Sequence, residues 1–426
     1  MIKQVINKKN LNEAYLRVYG NKGAAGVDGL DVTNLKSTLK AHGNTYNKQI
    51  EREGYQVSPI LGVEIPKSNG KTRLLGVPTV VDRVYQQALH QVLQPIFEAD
   101  FQQHSYGFRP NRNAHQAVTQ SLSNINSGYQ DVVNMDLKSF FDEVEHRLML
   151  DLIYKKVKCK ATMKLLRSFL RAPIQINGKL IKRRKGVPQG SPLSPLLSNI
   201  LLNELDKELE KRGHKYVRYA DDFSIYVRLK KSAKRVGNSI YKYLRDKLHL
   251  PINREKSGIC RPQTFNLLGY GFVPTYKKGE KGKYQLVAKK SKWAALKQKL
   301  KYLTRKTIPM SFDERMKRLN WLIRGWVNYF KLGSIQGKLK KLDEWLRNRL
   351  RYCIWHHWKK PDRKRKNLIR LGISKGQAYA WSRTRMGGWA VAQSPILGTT
   401  ITVKRLKMRG YISLVEYYKT ASLLNR

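Results

Sequence analysis

Tyr216-Val217-Arg218-Tyr219-Ala220-Asp221-Asp222-Phe223-Ser224-Ile225-Tyr226-Val227 reads as a β-hairpin that carries two adjacent carboxylates at its tip. β-Branched and aromatic residues on both sides favour strands. An Asp-Asp pair alone is a weak sign, because Asp is at home in any solvated turn. The buried-looking flanks argue instead for a turn mounted on a rigid element. Upstream, Asp131-Val132-Val133-Asn134-Met135 forms a second apolar strand that ends on Asp136, followed by Leu137-Lys138-Ser139-Phe140-Phe141-Asp142. Carboxylates from separate strands are what a pair of divalent cations about 3.5–4 Å apart requires. Asp136, Asp221 and Asp222 are the candidate ligands, with helix N-capping the alternative for Asp136.

The composition narrows the partner. The chain has 426 residues with 84 Lys+Arg against 30 Asp+Glu, a net charge of +54. That excess disfavours a small-molecule enzyme and points to a polyanion. Residues 281–426 hold 37 of the basic residues and only six acids. Ordinary solvated surfaces intersperse the two signs. No apolar run approaches the ~20 residues of a membrane span, and the N-terminus lacks an apolar signal core. The expectation is a cytoplasmic protein with no membrane partner. Cys159, Cys260 and Cys353 are isolated, without a C-x-x-C, which argues against structural zinc or a disulfide framework.

Periodicity predicts a short helix over 11–19, a Gly-rich turn at Asn21–Gly29 and a polar helical segment within 30–55. A hairpin follows, Val63–Lys67 and Lys71–Val77. Helices are expected at 80–97, from Glu145, at 161–171 and at 192–211. Helices and strands alternate without βαβ spacing, so the fold class is α+β with a small antiparallel sheet. Beyond 285 the pattern turns helical. Ser311-Phe312-Asp313-Glu314 has capping-box spacing, with one helix after it and another from about 338. All eight Trp lie at or after Trp293. Trp355 and Trp358 stand beside a run of cations, either as core residues or as stacking surfaces for nucleotides.

Other stretches suit a nucleotide. Lys185-Gly186-Val187-Pro188-Gln189-Gly190-Ser191-Pro192 is a Gly/Pro-rich loop that lets backbone approach a base pair, with Gln189 as a hydrogen-bonding side chain. Lys67 and Arg73 flank the first hairpin turn, as solvated charges or as a triphosphate clamp. Phe141 is either an ordinary core residue or a ring under the sugar of a nucleotide, selecting against a 2′-hydroxyl.

Together with Tyr106-Gly107-Phe108-Arg109-Pro110, Leu193-Ser194-Pro195-Leu196-Leu197-Ser198-Asn199, Asn253-Arg254-Glu255-Lys256-Ser257 and Leu268-Gly269-Tyr270, these blocks resemble in order and spacing those of a group II intron-encoded reverse transcriptase and maturase. Asn21–Gly29 resembles the family's N-terminal extension. Ile323-Arg324-Gly325-Trp326-Val327-Asn328-Tyr329-Phe330 resembles the start of its thumb, or maturase, domain. Two positions depart from the pattern: Ser191 replaces a common Gly, and Leu268-Gly269-Tyr270 replaces a Phe-Leu-Gly-Phe. The family's Cys-rich endonuclease is not seen, which resembles the bacterial endonuclease-lacking, class C-like form.

The resemblance implies a right-hand polymerase, with an N-terminal extension and fingers over 1–130, a palm over 131–285 and an α-helical thumb/maturase domain over 286–426. It implies an RNA-directed DNA polymerase that also assists intron splicing and mobility by target-primed reverse transcription. Two Mg²⁺ ions would be held by Asp136, Asp221, Asp222 and the Leu137 carbonyl. Lys67, Arg73, Phe141, Gln189 and Lys256 would bind nucleotide, and Leu268-Gly269-Tyr270 would grip the primer. The partners implied are intron RNA, an RNA template with a DNA primer, deoxynucleoside triphosphates and target DNA. Arg363-Lys364-Arg365-Lys366 is the densest basic run beyond the polymerase blocks and is expected to bind RNA. The alternatives are a reverse transcriptase of a retron or defence lineage and a splicing-only maturase.

Overall fold

Eleven strands and a larger number of helices make up the described residues, which in the computed structural model are 1–66, 70, 72–276 and 279–423. In chain order the strands are Ile60–Pro66 (β1), Thr72–Val77 (β2), Asp131–Met135 (β3), Ile174–Ile176 (β4), Lys179–Ile181 (β5), Lys215–Tyr219 (β6), Asp222–Val227 (β7), Gly258–Cys260 (β8), Asn266–Leu267 (β9), Tyr270–Pro274 (β10) and Tyr284–Ala288 (β11). The chain divides into two units, Met1–Arg261 and Pro262–Arg426. The boundary expected at 285 falls inside the second unit, so β9, β10 and β11 belong there.

In the first unit β6-β7-β3-β8 form a sheet whose pairs are all antiparallel. Its central strands are buried along nearly their whole length. Helix Lys230–Asp246 packs on β3 and β7, and helix Ala114–Asn126 packs on β6. That explains the near-continuous apolar runs where a half-solvated strand would alternate. A second sheet, β2-β1-β4-β5, contains the predicted hairpin but pairs β1 with β4 in parallel, a long-range pairing that local pattern does not encode.

Helix Val80–Glu98 starts where expected, with the Thr79 hydroxyl accepting from Asp82 N. Asp82 is buried and accepts from Tyr55 Oη at 2.8 Å and Ser58 N at 3.1 Å. The neighbouring Arg83 donates from Nε to Pro78 O at 3.0 Å and from Nη2 to Ala24 O. The Gly-rich turn at 21–29 is thereby fastened to the head of this helix. A Cβ at Gly26 would meet the backbone of Thr79 at 2.7 Å.

The second unit is mainly helical. Ser311 caps helix Phe312–Phe330 by accepting from Glu314 N at 3.1 Å, and helix Gln336–His357 follows. Trp355 is buried, so it is a core residue and not an open stacking surface. The Lys364 ammonium lies 4.4 Å from its ring centroid. No helix among the described residues is long and apolar enough to cross a membrane.

Asp343, also buried, holds the last helix, Leu414–Leu423, to this core. It accepts from Tyr411 Oη at 2.5 Å, Ser413 Oγ at 2.6 Å, Leu414 N at 2.9 Å and Val415 N at 3.1 Å. Asp343→Ala strips these donors of their acceptor. It should lower unfolding free energy by about 2–3 kcal/mol and expose residues 411–423 to protease, read by denaturant titration and limited proteolysis.

Candidate active site

Strand register brings the carboxylates together. In the antiparallel pairing of β3 and β7, Met135 lies opposite Phe223. The next residue of one strand, Asp136, therefore reaches the level of the residue before the other, Asp222. Tyr219 pairs with Asp222, leaving a two-residue turn of Ala220 and Asp221. Ala220 adopts φ 56°, a left-handed conformation unusual for a residue with a side chain.

A buried arginine holds that turn. Arg218 and Asp206 are both fully buried, and Arg218 donates from Nε to Asp206 Oδ1 at 2.8 Å and from Nη2 to Oδ2 at 2.6 Å. Its Nη1 donates to Asn199 Oδ1 at 3.0 Å and to Ala220 O at 2.9 Å, and Nη2 also donates to Ser105 Oγ at 2.7 Å. All five guanidinium hydrogens are thus engaged. Asn199 Nδ2 donates to Gly107 O at 2.9 Å, and Tyr106 N donates to Arg218 O at 2.9 Å. A Cβ at Gly107 would run into the Ala220 backbone nitrogen. Sequence reading missed this support: Arg218 looked like one more strand residue, and only an internal cation next to an acidic turn hinted otherwise.

Asp136 is secured from the other side. Its carbonyl accepts from Asn253 N at 2.7 Å, and its own N–H donates to Ser257 Oγ at 3.0 Å. Lys256 Nζ stands 3.3 Å from Asp136 Oδ2. A cleft of about 1180 Å³ opens over these groups and brings Arg73, Asp136, Leu137, Phe141, Gln189, Asp221 and Lys256 into one wall. Lys67 lies outside the described residues. Leu268, Gly269 and Tyr270 belong to the second unit, where Leu268 and Gly269 make a two-residue turn between β9 and β10 with φ 52° and 85°. Arg363, Lys364, Arg365 and Lys366 lie on helix Pro361–Arg370 of that unit; Arg363 and Lys366 are exposed, while Lys364 and Arg365 are half-buried.

The Gly/Pro-rich loop packs on the β1–β2 hairpin and on the segment after β3. Gly76 N donates to Gln189 O at 2.8 Å, and Val187 N donates to Phe141 O at 2.6 Å. Gly190 takes φ 121°, and a Cβ there would meet Gly76 O at 2.6 Å. Ser191, which departs from the family's usual Gly, is accommodated: its buried hydroxyl donates to Gln86 Oε1 at 2.5 Å.

The electrostatics are those of converging like charges. Burial, with the charge of Asp136, holds the Asp221 carboxyl above the usual range, and Arg73 and Arg218 act against this. Asp222 is open to solvent along one edge but crowded by protein. Desolvation and the charges of Asp221 and Asp136 push it up to about 6, partly opposed by Lys256. Among the described residues no three His, Cys, Asp or Glu side chains already form a metal cage. The donor chemistry nevertheless fits a hard cation: carboxylate oxygens that repel one another and that the nearby Arg73, Arg218 and Lys256 offset only in part.

Two measurements probe these interactions. Arg218→Met leaves Asp206 buried and unpaired, so unfolding free energy should fall by about 3–5 kcal/mol; an unchanged melting temperature would separate the network from the fold. For Asp222 the folded-state pKa is raised, so the native state binds more protons than the unfolded chain between about pH 4 and 6. Its ionisation therefore destabilises the cation-free protein as pH rises through that window. Asp222→Asn should melt higher than the parent above pH 6 in chelator, with the gain vanishing towards pH 4.

A model of the reverse transcriptase (RNA-dependent DNA polymerase) family matches residues 65–272, and a model of the group II intron, maturase-specific domain matches residues 293–372. Protein YkfC of Escherichia coli is 35% identical over half of this chain and 57% of its own length. The group II intron-encoded protein LtrA of Lactococcus lactis is 33% identical over 44% of this chain and 31% of its own. A putative COX1/OXI3 intron 2 protein of Saccharomyces cerevisiae is 29% identical over 47% of this chain and 23% of its own. The chain thus spans between about a quarter and three-fifths of these relatives. The mixed α+β architecture is that of the right-hand polymerases to which the first model belongs, and through the two models matched in tandem the chain is similar to the group II intron-encoded reverse transcriptases and maturases.

Proposed function

We propose that the chain is an RNA-directed DNA polymerase that also binds its own intron RNA and assists its splicing and mobility. The observation that carries the first part is the convergence of Asp136, Asp221 and Asp222 at one end of an antiparallel sheet, beside a cleft whose lining sets Arg73, Lys138, Arg254 and Lys256 around Asp136 and Asp221. In this reading residues 1–130 are the N-terminal extension and fingers, 131–285 the palm and 286–426 the thumb and maturase domain.

Asp136, Asp221, Asp222 and the Leu137 carbonyl would hold Mg²⁺. When bound, Mg²⁺ lowers the proton affinity of a primer 3′-hydroxyl and neutralises charge on a triphosphate. The protein's own groups orient the reactants. Arg73, with Lys67, holds the triphosphate, and Lys256, beside Asp136, meets the leaving pyrophosphate. Phe141 lies in the same wall and packs edge-on against buried Phe140 at 5.3 Å, which braces its ring as a barrier to a 2′-hydroxyl. Gln189, anchored through its carbonyl to Gly76, faces the nascent base pair. In the second unit, Tyr329 Oη donates to Leu268 O at 2.8 Å and steadies the turn that would grip the primer. Substrates are deoxynucleoside triphosphates on an RNA template, with target DNA supplying the primer, in the cytoplasm where intron RNA is made.

The maturase role is supported by the match over residues 293–372 and by the +31 carried on 281–426. Intron RNA would be bound largely through phosphates and backbone shape, with the ribozyme doing the cutting.

Asp221→Asn and Asp136→Asn should each abolish primer extension by purified protein without lowering its melting temperature and with RNA affinity nearly unchanged, because an amide is a poor Mg²⁺ ligand. Near-parental extension by either would remove it from the metal site. Replacing Arg363, Arg365 and Lys366 together by Ala, with Lys364 kept for its packing on Trp355, should weaken intron binding. The slope of log affinity against log salt should shrink by about 0.7 for each phosphate that the protein no longer neutralises. Extension of a pre-annealed primer-template should suffer less; the opposite pattern would assign the cluster to the primer-template cleft.

A further inference from the structure

The cleft does not end at the carboxylates. A second cavity of about 510 Å³ shares Arg73, Phe141 and Gln189 with the first and extends to Asn21, Arg83 and Gln87. Among the described residues no acidic residue lines it. Its wall contains Phe108, whose side chain is 56% exposed and whose backbone adopts φ 56°. A bulky residue in that conformation is strained, and such strain persists only where the surroundings over-determine it.

They do so on both sides. Before Phe108, Gly107 is bonded to Asn199 and pressed against the catalytic turn at Ala220. After it, the buried Arg109 guanidinium donates to Glu98 Oε1 at 2.8 Å, to Gln102 O at 2.5 Å and to Ser105 O at 2.9 Å. The ring gains little burial in return. Its centroid is 6.5 Å from that of Tyr219, the residue that leads into the Ala220 turn. The fold thus forces an apolar plane outward, at a fixed place, into a largely apolar cleft whose polar groups include two arginines and three amides.

We propose that Phe108 is a stacking platform for the unpaired template base entering the cleft, an inference that rests on the polymerase reading above. Each feature of the cavity suits a strand of nucleic acid. The ring offers an aromatic face that accepts any base, as copying an arbitrary sequence demands. Beyond the shared Arg73, Phe141 and Gln189, which serve the incoming nucleotide, Arg83 suits a phosphodiester, and Asn21 and Gln87 suit base edges. The incoming nucleotide is the poorer occupant, because its triphosphate belongs with the carboxylates and Lys256 of the first cavity, which the second lacks.

Binding tests this without chemistry. Two primer-templates are compared by fluorescence anisotropy with full-length protein in the Asp221→Asn background, one with a natural base at the first unpaired template position and one with an abasic sugar there. The natural overhang should bind about tenfold tighter, the scale of one base–aromatic stack. Phe108→Tyr should keep that preference, and Phe108→Ala should lose it. Phe108→Gly should lose it too while melting no lower than its parent, because glycine tolerates the left-handed backbone; a merely structural Phe108 would not give that combination. Equal affinity for the two overhangs before mutation, or a preference that survives Phe108→Gly, would overturn the proposal. Failure of the protein with Asp221 intact to extend any primer would instead sink the polymerase reading, while the stacking measurement would still stand.

Discussion

The Arg218 guanidinium is the interaction on which the site depends. It is fully buried beside Asp206, and its five donors join helix Ser194–Lys211, the loop at Ser105 and the carbonyl of Ala220. Burying an ion pair is costly unless its donors are met, and here all five guanidinium donors are. A hydrophobic replacement of similar volume could fill the space but could not donate to the Ala220 carbonyl. The pair therefore fixes where the next two residues, Asp221 and Asp222, stand.

Charge is organised at two scales. Over the whole chain an excess of +54 supplies long-range attraction for a polyanion. Locally, three carboxylates are drawn together inside that field, and the proton affinities of Asp221 and Asp222 rise despite Arg73, Arg218 and Lys256 nearby. Burial and mutual repulsion outweigh those single cations, which leaves the cluster suited to a small, highly charged ion.

Three of the ten non-glycine residues with positive φ among the described residues lie at or beside the cleft. Ser139, Phe108 and Ala220 all take positive φ without being glycine, at 47°, 56° and 56°. Ser139 lines the first cavity, Phe108 lines the second, and Ala220 makes the turn between the strands. Each is held by long-range hydrogen bonds or packing close by. The Gly-rich loop works differently: at Gly190 the missing side chain admits the Gly76 carbonyl, so two loops close to form the floor under Gln189.

Much of this was legible in the residues themselves. Apolar strands running into Asp136 and Asp222, the hairpin turns and the capping Ser311 are local patterns, because strand and helix periodicity and turn chemistry act over a few residues. The uneven charge needed only counting. What local pattern could not contain was pairing at a distance: β1 beside β4, Arg218 on Asp206 and Ser105, Asp343 on the final helix, and Trp355 buried under Lys364 where exposure to nucleotides had been an open alternative. The sequence by itself singled out the candidate carboxylates and the strands that lead to them. The tertiary structure decided their register, their support and their proton affinities, since burial and through-space charge depend on neighbours that the chain brings together only by folding.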